Sequence, residues 1–367
     1  MRKSIIPAVL LFLLDFAAGR LTGNQIESSS SRDELSAFFR KSDVTVSVTD
    51  SGLGGLSIMA DAAARMKAAG IFRTARFIFT NALFSAQGGY NTLRTKEEKA
   101  ARFDEVLESI DGRNKPDLIL IACNTLSVIY DATTFSKRAG IPVIPIAPAA
   151  TDLISSGLRE HPESAVLIFG TPTTVSEGTY QKNLADAGFG SGRVFSQACP
   201  ELEVFIERDC AGEETALLID GFIEEALGML PKPRPPLFVS LNCTHYGYSL
   251  PLWEQAFARA GIKPLAILNP NSRMSDILFP PELMNRYPRT EVQAEVASRV
   301  EIPKTTVDSL GAWLKKISLE VAEALRRYRY LLGADSGRNA NSRIYFDDSM
   351  VTLRGPGASW CSMIWKE

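Results

Sequence analysis

The chain has 367 residues, of which 45% are apolar and 22% are charged. This composition excludes wholesale disorder and a fibrous repeat, and the length leaves room for about two domains. The 40 basic and 42 acidic side chains give a net charge of −2, which excludes the basic footprint of a nucleic-acid-binding protein.

The first 19 residues have the three-part pattern of a secretory signal peptide. Two basic residues precede a ten-residue apolar run, and small residues follow as far as Gly19. The run is too short to span a bilayer, so no stable membrane span is expected once the signal is removed. A signal predicts a periplasmic or secreted protein; without one, the protein is expected in the cytoplasm. Residues 20–43 are interpreted as a polar linker.

From residue 44 onward, predicted strands alternate with predicted helices. The strands cover residues 44–48, 75–81, 117–123, 142–148, 165–170, 194–199, 237–243 and 265–269. The helices cover residues 57–67, 96–110, a stretch from about 125, 174–187 and 203–230. The charged start of the second helix, Lys96 to Lys99, is interpreted as a solvated face. This alternation is typical of an α/β fold with parallel sheets covered by helices.

The two halves of the chain repeat one spacing. Cys123 lies 73 positions after Asp50, Cys243 lies 73 positions after Gly170, and the two pairs are offset by 120. Phe79 and Cys199, at the predicted ends of the second strands, are also 120 positions apart. We therefore predict two pseudo-symmetric parallel-sheet α/β domains with the active site in the cleft between them.

Cys123 and Cys243 each end a predicted strand and lead into a predicted helix. Ligands of open α/β sheets bind beyond the carboxyl ends of the strands, so the two thiols are expected on opposite sides of one small ligand. A helix N-terminus favours the thiolate. Inverting a stereocentre by proton transfer needs one base on each face of the carbon, and two opposed thiols supply that symmetry.

Polar residues around the two cysteines suit the same chemistry. His245 lies two positions after Cys243 and is placed to exchange a proton with that thiol. Neutral donors that could hold a carboxylate and stabilise its developing charge are Ser51, Asn124, Thr125, Thr171, Thr174 and Thr244. The chain has two histidines, and no second cysteine pair flanks Cys243, so a metal site is not predicted. The other three cysteines are interpreted as packing residues.

Five ordered motifs connect the first predicted strand with the second cysteine. They are Asp-Ser-Gly-Leu-Gly-Gly-Leu-Ser at 50–57, Ala-Cys-Asn-Thr at 122–125, Gly-Thr-Pro-Thr-Thr-Val-Ser at 170–176 followed by Tyr180, Ala-Cys-Pro at 198–200 with Glu207, and Cys-Thr-His-Tyr at 243–246. Together they resemble the motifs of the aspartate/glutamate racemase superfamily and, within it, of the glutamate racemases.

The resemblance implies a racemase that uses two bases and no cofactor. Cys123 would serve one face of the substrate with Asp50 assisting, and Cys243 the other face with His245 and Glu207 assisting. The neutral donors named above would bind substrate, together with Tyr90 and Asn91. The implied substrate is a small acidic amino acid, glutamate before aspartate, and the implied product D-glutamate serves peptidoglycan synthesis. A homodimer is an option that the family leaves open.

The resemblance also implies how the chain divides into domains. The first domain would cover residues 44–147 and be completed by about 271–350, with Arg343 to Phe346 as its returning strand. The second would cover residues 148–270. Residues 351–367 form a tail without an assigned role.

The sequence departs from the family pattern at positions that are expected to border the substrate-binding site. Thr80-Asn81 stands where the family has Gly-Asp, Gly89-Tyr90-Asn91 stands where it has Pro-Tyr-Gly, and Gly247 replaces a proline. Two alternatives therefore stay open: a superfamily relative acting on another carbon acid, such as a hydantoin racemase or a cis/trans isomerase, and an exported bilobal ligand-binding protein. Retention of Asn124, His245 and both thiols favours the amino-acid racemase.

Overall fold

The computed structural model describes residues 29–85 and 89–331. Its strands are β1 Asp43–Asp50, β2 Thr74–Asn81, β3 Leu118–Ile121, β4 Val143–Pro145, β5 Ala165–Gly170, β6 Val194–Ala198, β7 Leu237–Asn242, β8 Ala266–Leu268, β9 Glu291–Ser298 and β10 Arg329–Tyr330. Its α-helices are α1 Ser29–Arg40, α2 Leu56–Ala69, α3 Lys96–Asn114, α4 Asn124–Ile129, α5 Ile146–Glu160, α6 Pro172–Ser176, α7 Thr179–Asp186, α8 Leu202–Arg208, α9 Glu213–Gly228, α10 Leu250–Arg259, α11 Pro270–Ser275, α12 Lys304–Leu314 and α13 Leu319–Arg326. The predicted signal peptide and the 351–367 tail lie outside the described residues. Within the described ranges, no helix is both long and apolar enough to cross a lipid bilayer.

The strands form two parallel sheets. The first has six strands in the order β10-β9-β2-β1-β3-β4, and the second has four in the order β6-β5-β7-β8. Strand β9 pairs with β2 along its whole length, so the first sheet is extended by chain that follows the second sheet. The returning strand that the sequence analysis assigned to 343–346 falls outside the described residues. The predicted α/β fold with two parallel sheets is confirmed.

The strand registers show which pairs of equivalent strands keep the offset of 120 positions. Thr49 pairs with Ile121 in the first sheet, and Phe169 pairs with Leu241 in the second, so both pairs keep the offset of 120. The second strands do not keep it, because Val48 pairs with Phe79 while Ile168 pairs with Ser196. The predicted equivalence of Phe79 and Cys199 is therefore wrong, since β6 is displaced by three residues relative to β2.

Apolar strands packed between helices form the core. Both faces of β5 are buried throughout, and Val46 and Val48 of β1 are fully buried. Helix α2 lies close to the first sheet because its inward face includes small side chains such as Ala60 and Ala63. Burial of each large apolar side chain contributes roughly 1.5–3 kcal/mol. This rigid base holds the polar residues that follow the strand ends.

The segment 20–43 was interpreted as a linker, but part of it, Ser29–Arg40, forms helix α1. Phe38 is 1% exposed and makes an edge-to-face contact with Phe72, with ring centroids 5.2 Å apart. Leu35 and Phe39 pack against the same core. The three apolar side chains recur at the spacing of one helix face, and the serines that precede them concealed this pattern.

Two predicted helices are interrupted, and one predicted strand is shorter. The helix expected at 174–187 divides into α6 and α7 at Gly178, whose φ of 64° is unsuited to a helix interior. The helix expected at 203–230 divides into α8 and α9. The strand expected at 142–148 ends at Pro145, because α5 begins at Ile146.

Candidate active site

The carboxyl ends of the strands of both sheets line a cleft of about 630 Å³. A cavity of this size holds a small ligand. It is lined by all but one of the residues that the sequence analysis singled out, namely Asp50, Ser51, Tyr90, Asn91, Cys123, Asn124, Thr125, Thr171, Glu207, Cys243, Thr244 and His245. Thr174 does not line the cleft, but its hydroxyl lies 3.0 Å from that of Thr171.

Cys123 lies between β3 and α4, where the chain turns from strand to helix. Its Sγ atom is 3.0 Å from the Ser51 hydroxyl, and the residue is 4% exposed. Burial raises the pKa of the Cys123 thiol, the negative charge of Asp50 raises it further, and the hydrogen bond with Ser51 opposes both. Burial therefore favours the neutral form of this thiol.

Cys243 follows β7 and leads into a single 3-10 turn, Tyr246–Ser249. Its Sγ atom lies 3.7 Å from Nδ1 of His245. Burial raises the pKa of the Cys243 thiol well above its ordinary value, and the charge of Glu203 adds to the effect. The expectation that helix N-termini favour both thiolates is corrected: α4 has only six residues, Cys243 leads into a 3-10 turn that separates it from α10, and burial dominates at both sites.

His245 is bound on its far side by Glu207. Its Nε2 atom lies 2.7 Å from Oε1 of Glu207, and the same oxygen accepts a hydrogen bond from the Leu53 amide at 2.9 Å. Burial alone would lower the pKa of His245, but the hydrogen bond and charge of Glu207 outweigh it and raise the pKa. Glu207, His245 and Cys243 thus form a chain along which a proton can be exchanged.

Asp50 ends β1 and lies beneath the cleft. Its Oδ2 atom accepts hydrogen bonds from the Gly55 amide at 2.6 Å and from the Thr244 hydroxyl at 2.7 Å. Its Oδ1 atom is buried and has no hydrogen-bond partner among the described residues. Asp50 influences Cys123 through its charge, and one acceptor of a cleft-lining carboxylate is left unused.

Gly54 lets the loop after β1 pack directly on the loop after β7. A Cβ atom at this position would lie 2.3 Å from Oγ1 of Thr244 and 2.7 Å from the backbone nitrogen of His245. No side chain fits in that space, so the packing of the two loops requires glycine at this position. The contact fixes the distance between the two halves of the site.

A cluster of hydroxyl groups joins the two sheets beside Cys123. Oγ1 of Thr125, two residues after Cys123, lies 2.8 Å from Oγ1 of Thr171, the residue that follows β5. Asn124 accepts a hydrogen bond from the Tyr180 hydroxyl, while its buried Nδ2 has no partner within residues 29–85 and 89–331. The cluster therefore offers neutral donors to an anionic group.

The sequence analysis missed charged residues at and near the cleft, among them Glu203 and Lys99. Glu203, in the first turn of α8, accepts a hydrogen bond from Nδ2 of Asn91 at 3.2 Å. Lys99 is 6% exposed and donates to Oγ1 of Thr173 at 2.9 Å, so its interpretation as part of a solvated face is wrong. Burial lowers the pKa of Lys99. The available signal for Glu203 was its position three residues after the Ala-Cys-Pro motif.

The part of the chain that the structure describes contains no group of three or more His, Cys, Asp or Glu side chains arranged to hold a metal ion. The fold and the cleft define a two-sheet α/β enzyme in which each half contributes one thiol.

Comparison with known proteins identifies the family. Residues 58–234 match the sequence model of the Asp/Glu/Hydantoin racemase family. A glutamate racemase from Granulibacter bethesdensis is 31% identical over 233 residues, which are 63% of this chain and 76% of that protein. A glutamate racemase from Ruegeria pomeroyi is 27% identical over 225 residues, 58% of this chain and 77% of its own. The chain belongs to the Asp/Glu/Hydantoin racemase family and is a racemase, an isomerase.

Solved structures share the fold. Glutamate racemase RacE1 from Bacillus anthracis matches with a TM-score of 0.56 and 18% identity, over 75% of this chain and 95% of that one. Glutamate racemase from Francisella tularensis, in complex with D-glutamate, matches with a TM-score of 0.54 and 20% identity over the same shares.

Proposed function

We propose that this protein racemizes an α-amino acid without a cofactor, by proton transfer between Cys123 and Cys243. The observation that carries the proposal is the equivalent placement of the two thiols, one after β3 and one after β7, on a single cleft. One thiolate removes the Cα proton from one face, and the other thiol delivers its own proton to the opposite face. The reverse direction exchanges the two roles.

The unused polar atoms of the cleft complement the zwitterion of an amino acid. Nδ2 of Asn124 and the hydroxyls of Thr125 and Thr171 supply donors for the α-carboxylate. Oδ1 of Asp50 supplies an acceptor for the α-ammonium group. A nearby positive charge favours the ionised form of a thiol, so the bound ammonium group supports the thiolate that burial opposes.

The groups beside each thiol assist the change between its thiol and thiolate forms. The hydroxyl of Ser51 lies against Cys123 and stabilises the thiolate by a hydrogen bond. His245, with its pKa raised by Glu207, donates to the Cys243 thiolate in one direction and accepts from the thiol in the other. General acid–base help of this kind contributes roughly 10²–10⁴-fold in rate.

Glutamate is the first substrate to test, and aspartate the second, because the relatives described above are named glutamate racemases. If glutamate is the substrate, the product serves peptidoglycan synthesis. Export directed by the first 19 residues, which lie outside the described residues, and assembly into a homodimer stay predictions.

Deuterium incorporation at Cα tests the two-thiol mechanism. Reduced protein in D₂O should convert one enantiomer into the other, with deuterium in the product and little in the recovered substrate. Cys123→Ser and Cys243→Ser should each lose on the order of 10²–10⁴-fold in kcat, while Cys199→Ser, a buried thiol outside the cleft, keeps its activity. Binding of an amino acid without any exchange would contradict the proposal and favour the binding-protein alternative.

A further inference from the structure

One end of the cleft is formed by Asn91, in the 3-10 turn Gly89–Thr92, and by Glu203, in the first turn of α8. Nδ2 of Asn91 donates a hydrogen bond to Oε1 of Glu203. The remaining oxygens of the pair, Oε2 of Glu203 and Oδ1 of Asn91, are buried and have no hydrogen-bond partner among the described residues. Both are acceptors, so this end of the cleft requires a donor.

The charges around the cleft also favour a cation at this end. Carboxylates line it at Asp50, Glu201, Glu203 and Glu207. Of the basic residues lining it, Arg208 forms an ion pair with Glu214 and His245 pairs with Glu207. Glu203 forms no ion pair with a basic side chain among the described residues, and a substrate carboxylate placed beside ionised Glu203 would meet a like charge.

We propose that Glu203 and Asn91 select substrates whose side chain ends in a cation, an ammonium or guanidinium group, over those that end in a carboxylate. The preferred substrates are then basic amino acids such as lysine, ornithine and arginine. This inference rests on the proposed racemization and names its substrate class. A cation beside Glu203 also offsets the negative charge that opposes ionisation of Cys243.

The substrate preference of the unaltered protein is the primary test. Exchange of the Cα proton for deuterium is measured with both enantiomers of lysine, ornithine, arginine, glutamine, glutamate and aspartate. We expect kcat/KM for at least one basic amino acid to exceed that for glutamate by tenfold or more. A kcat/KM for glutamate or glutamine equal to or above those of the basic amino acids overturns the selectivity and leaves racemization standing. Exchange with none of the six overturns both proposals.

The variant Glu203→Gln tests whether this residue is responsible. It removes one charge and one acceptor without changing the size of the side chain. We expect kcat/KM for the preferred basic amino acid to fall at least tenfold, and the ratio of glutamate to basic amino acid to rise. Glu224→Gln removes an exposed carboxylate on α9 outside the cleft and should leave the ratio unchanged. An unchanged ratio in Glu203→Gln, with exchange activity retained, contradicts the role given to Glu203.

Discussion

The hydroxyl of Thr244 donates a hydrogen bond to Oδ2 of Asp50 over 2.7 Å. The two residues follow strands of different sheets, β7 and β1, and are 194 positions apart in sequence. Both side chains are buried, at 1% exposure each. This bond, together with the close packing at Gly54, fixes the two halves of the cleft relative to each other.

Thr244→Val removes that donor with almost no change in side-chain size. Oδ2 of Asp50 keeps the Gly55 amide but loses its second donor, and a lost hydrogen bond to a buried charged group costs roughly 1.5–3 kcal/mol. We expect the free energy of unfolding in urea to fall by about this amount. Thr45→Val, on the same strand as Asp50 and away from the cleft, should change it by less than about 0.5 kcal/mol. Equal effects of the two substitutions would argue against the role of the bond.

Alkylation of the two cleft thiols should be slow in the folded protein. Burial raises the pKa of both Cys123 and Cys243, and the thiolate is the reactive form. We expect iodoacetamide to label both more slowly at neutral pH than it labels the same peptides in urea, with a rate that rises as the pH increases. Peptide mass spectrometry measures each site separately. Rapid labelling of either thiol at pH 7 would show that its thiolate is already favoured.

Glu207→Gln should lower the pKa of His245. Glu207 supplies the hydrogen bond and the charge that raise this pKa against burial. The chain has two histidines, His161 and His245, so proton NMR resolves the imidazole titration, and His161→Asn assigns the signals. A pKa of His245 that stays the same in Glu207→Gln would mean that another group raises it.

The same titration affects stability. Because folding raises the pKa of His245 above its ordinary value of 6.5, the protonated imidazole stabilises the fold. This contribution is complete below pH 6.5 and disappears as the pH rises through the folded-state pKa. Glu207→Gln should therefore lose stability relative to the unaltered protein at pH 6, and the difference should shrink at higher pH in urea titrations.

Phe38→Ala tests whether α1 belongs to the folded core. The ring is 1% exposed and contacts both Phe39 and Phe72. Truncating a buried phenylalanine costs roughly 3–5 kcal/mol, and we expect the free energy of unfolding to fall by an amount in this range. Phe39→Ala, at a half-buried position on the same helix, should cost less. No loss of global stability in Phe38→Ala would mean that α1 unfolds separately.

The strand ends that carry the thiols were predictable because they follow buried strands with clear boundaries. Leu118 to Ile121 and Leu237 to Asn242 are fully buried, and apolar runs of this length give a strong signal. The spacing of 120 survives in the structure for these strands. It fails for β2 and β6, because equal spacing in sequence does not reveal how much chain the intervening loops use.

The side-chain contacts at the edge of the cleft could not be predicted from the sequence in the same way. Glu203 and Asn91 are 112 positions apart, and nothing local in either segment indicates that they meet. Lys99 follows charged neighbours and was therefore interpreted as solvated, although its ammonium group donates a hydrogen bond to Thr173 of α6. Such pairs depend on how the loops of two sheets approach each other, which periodicity does not encode.

The late position of β9 in the chain has a consequence for how the protein forms. All four strands of the second sheet fall between Ala165 and Leu268, so that sheet is complete in one stretch of chain. The first sheet is incomplete until β9 has been synthesised, and the partner of β9, strand β2, lies 217 positions earlier in the chain. Contacts this distant in sequence form slowly because a large loop must close first. During synthesis, the second sheet is therefore able to assemble while β2 still has an open edge, and an unpaired edge is where another chain can add.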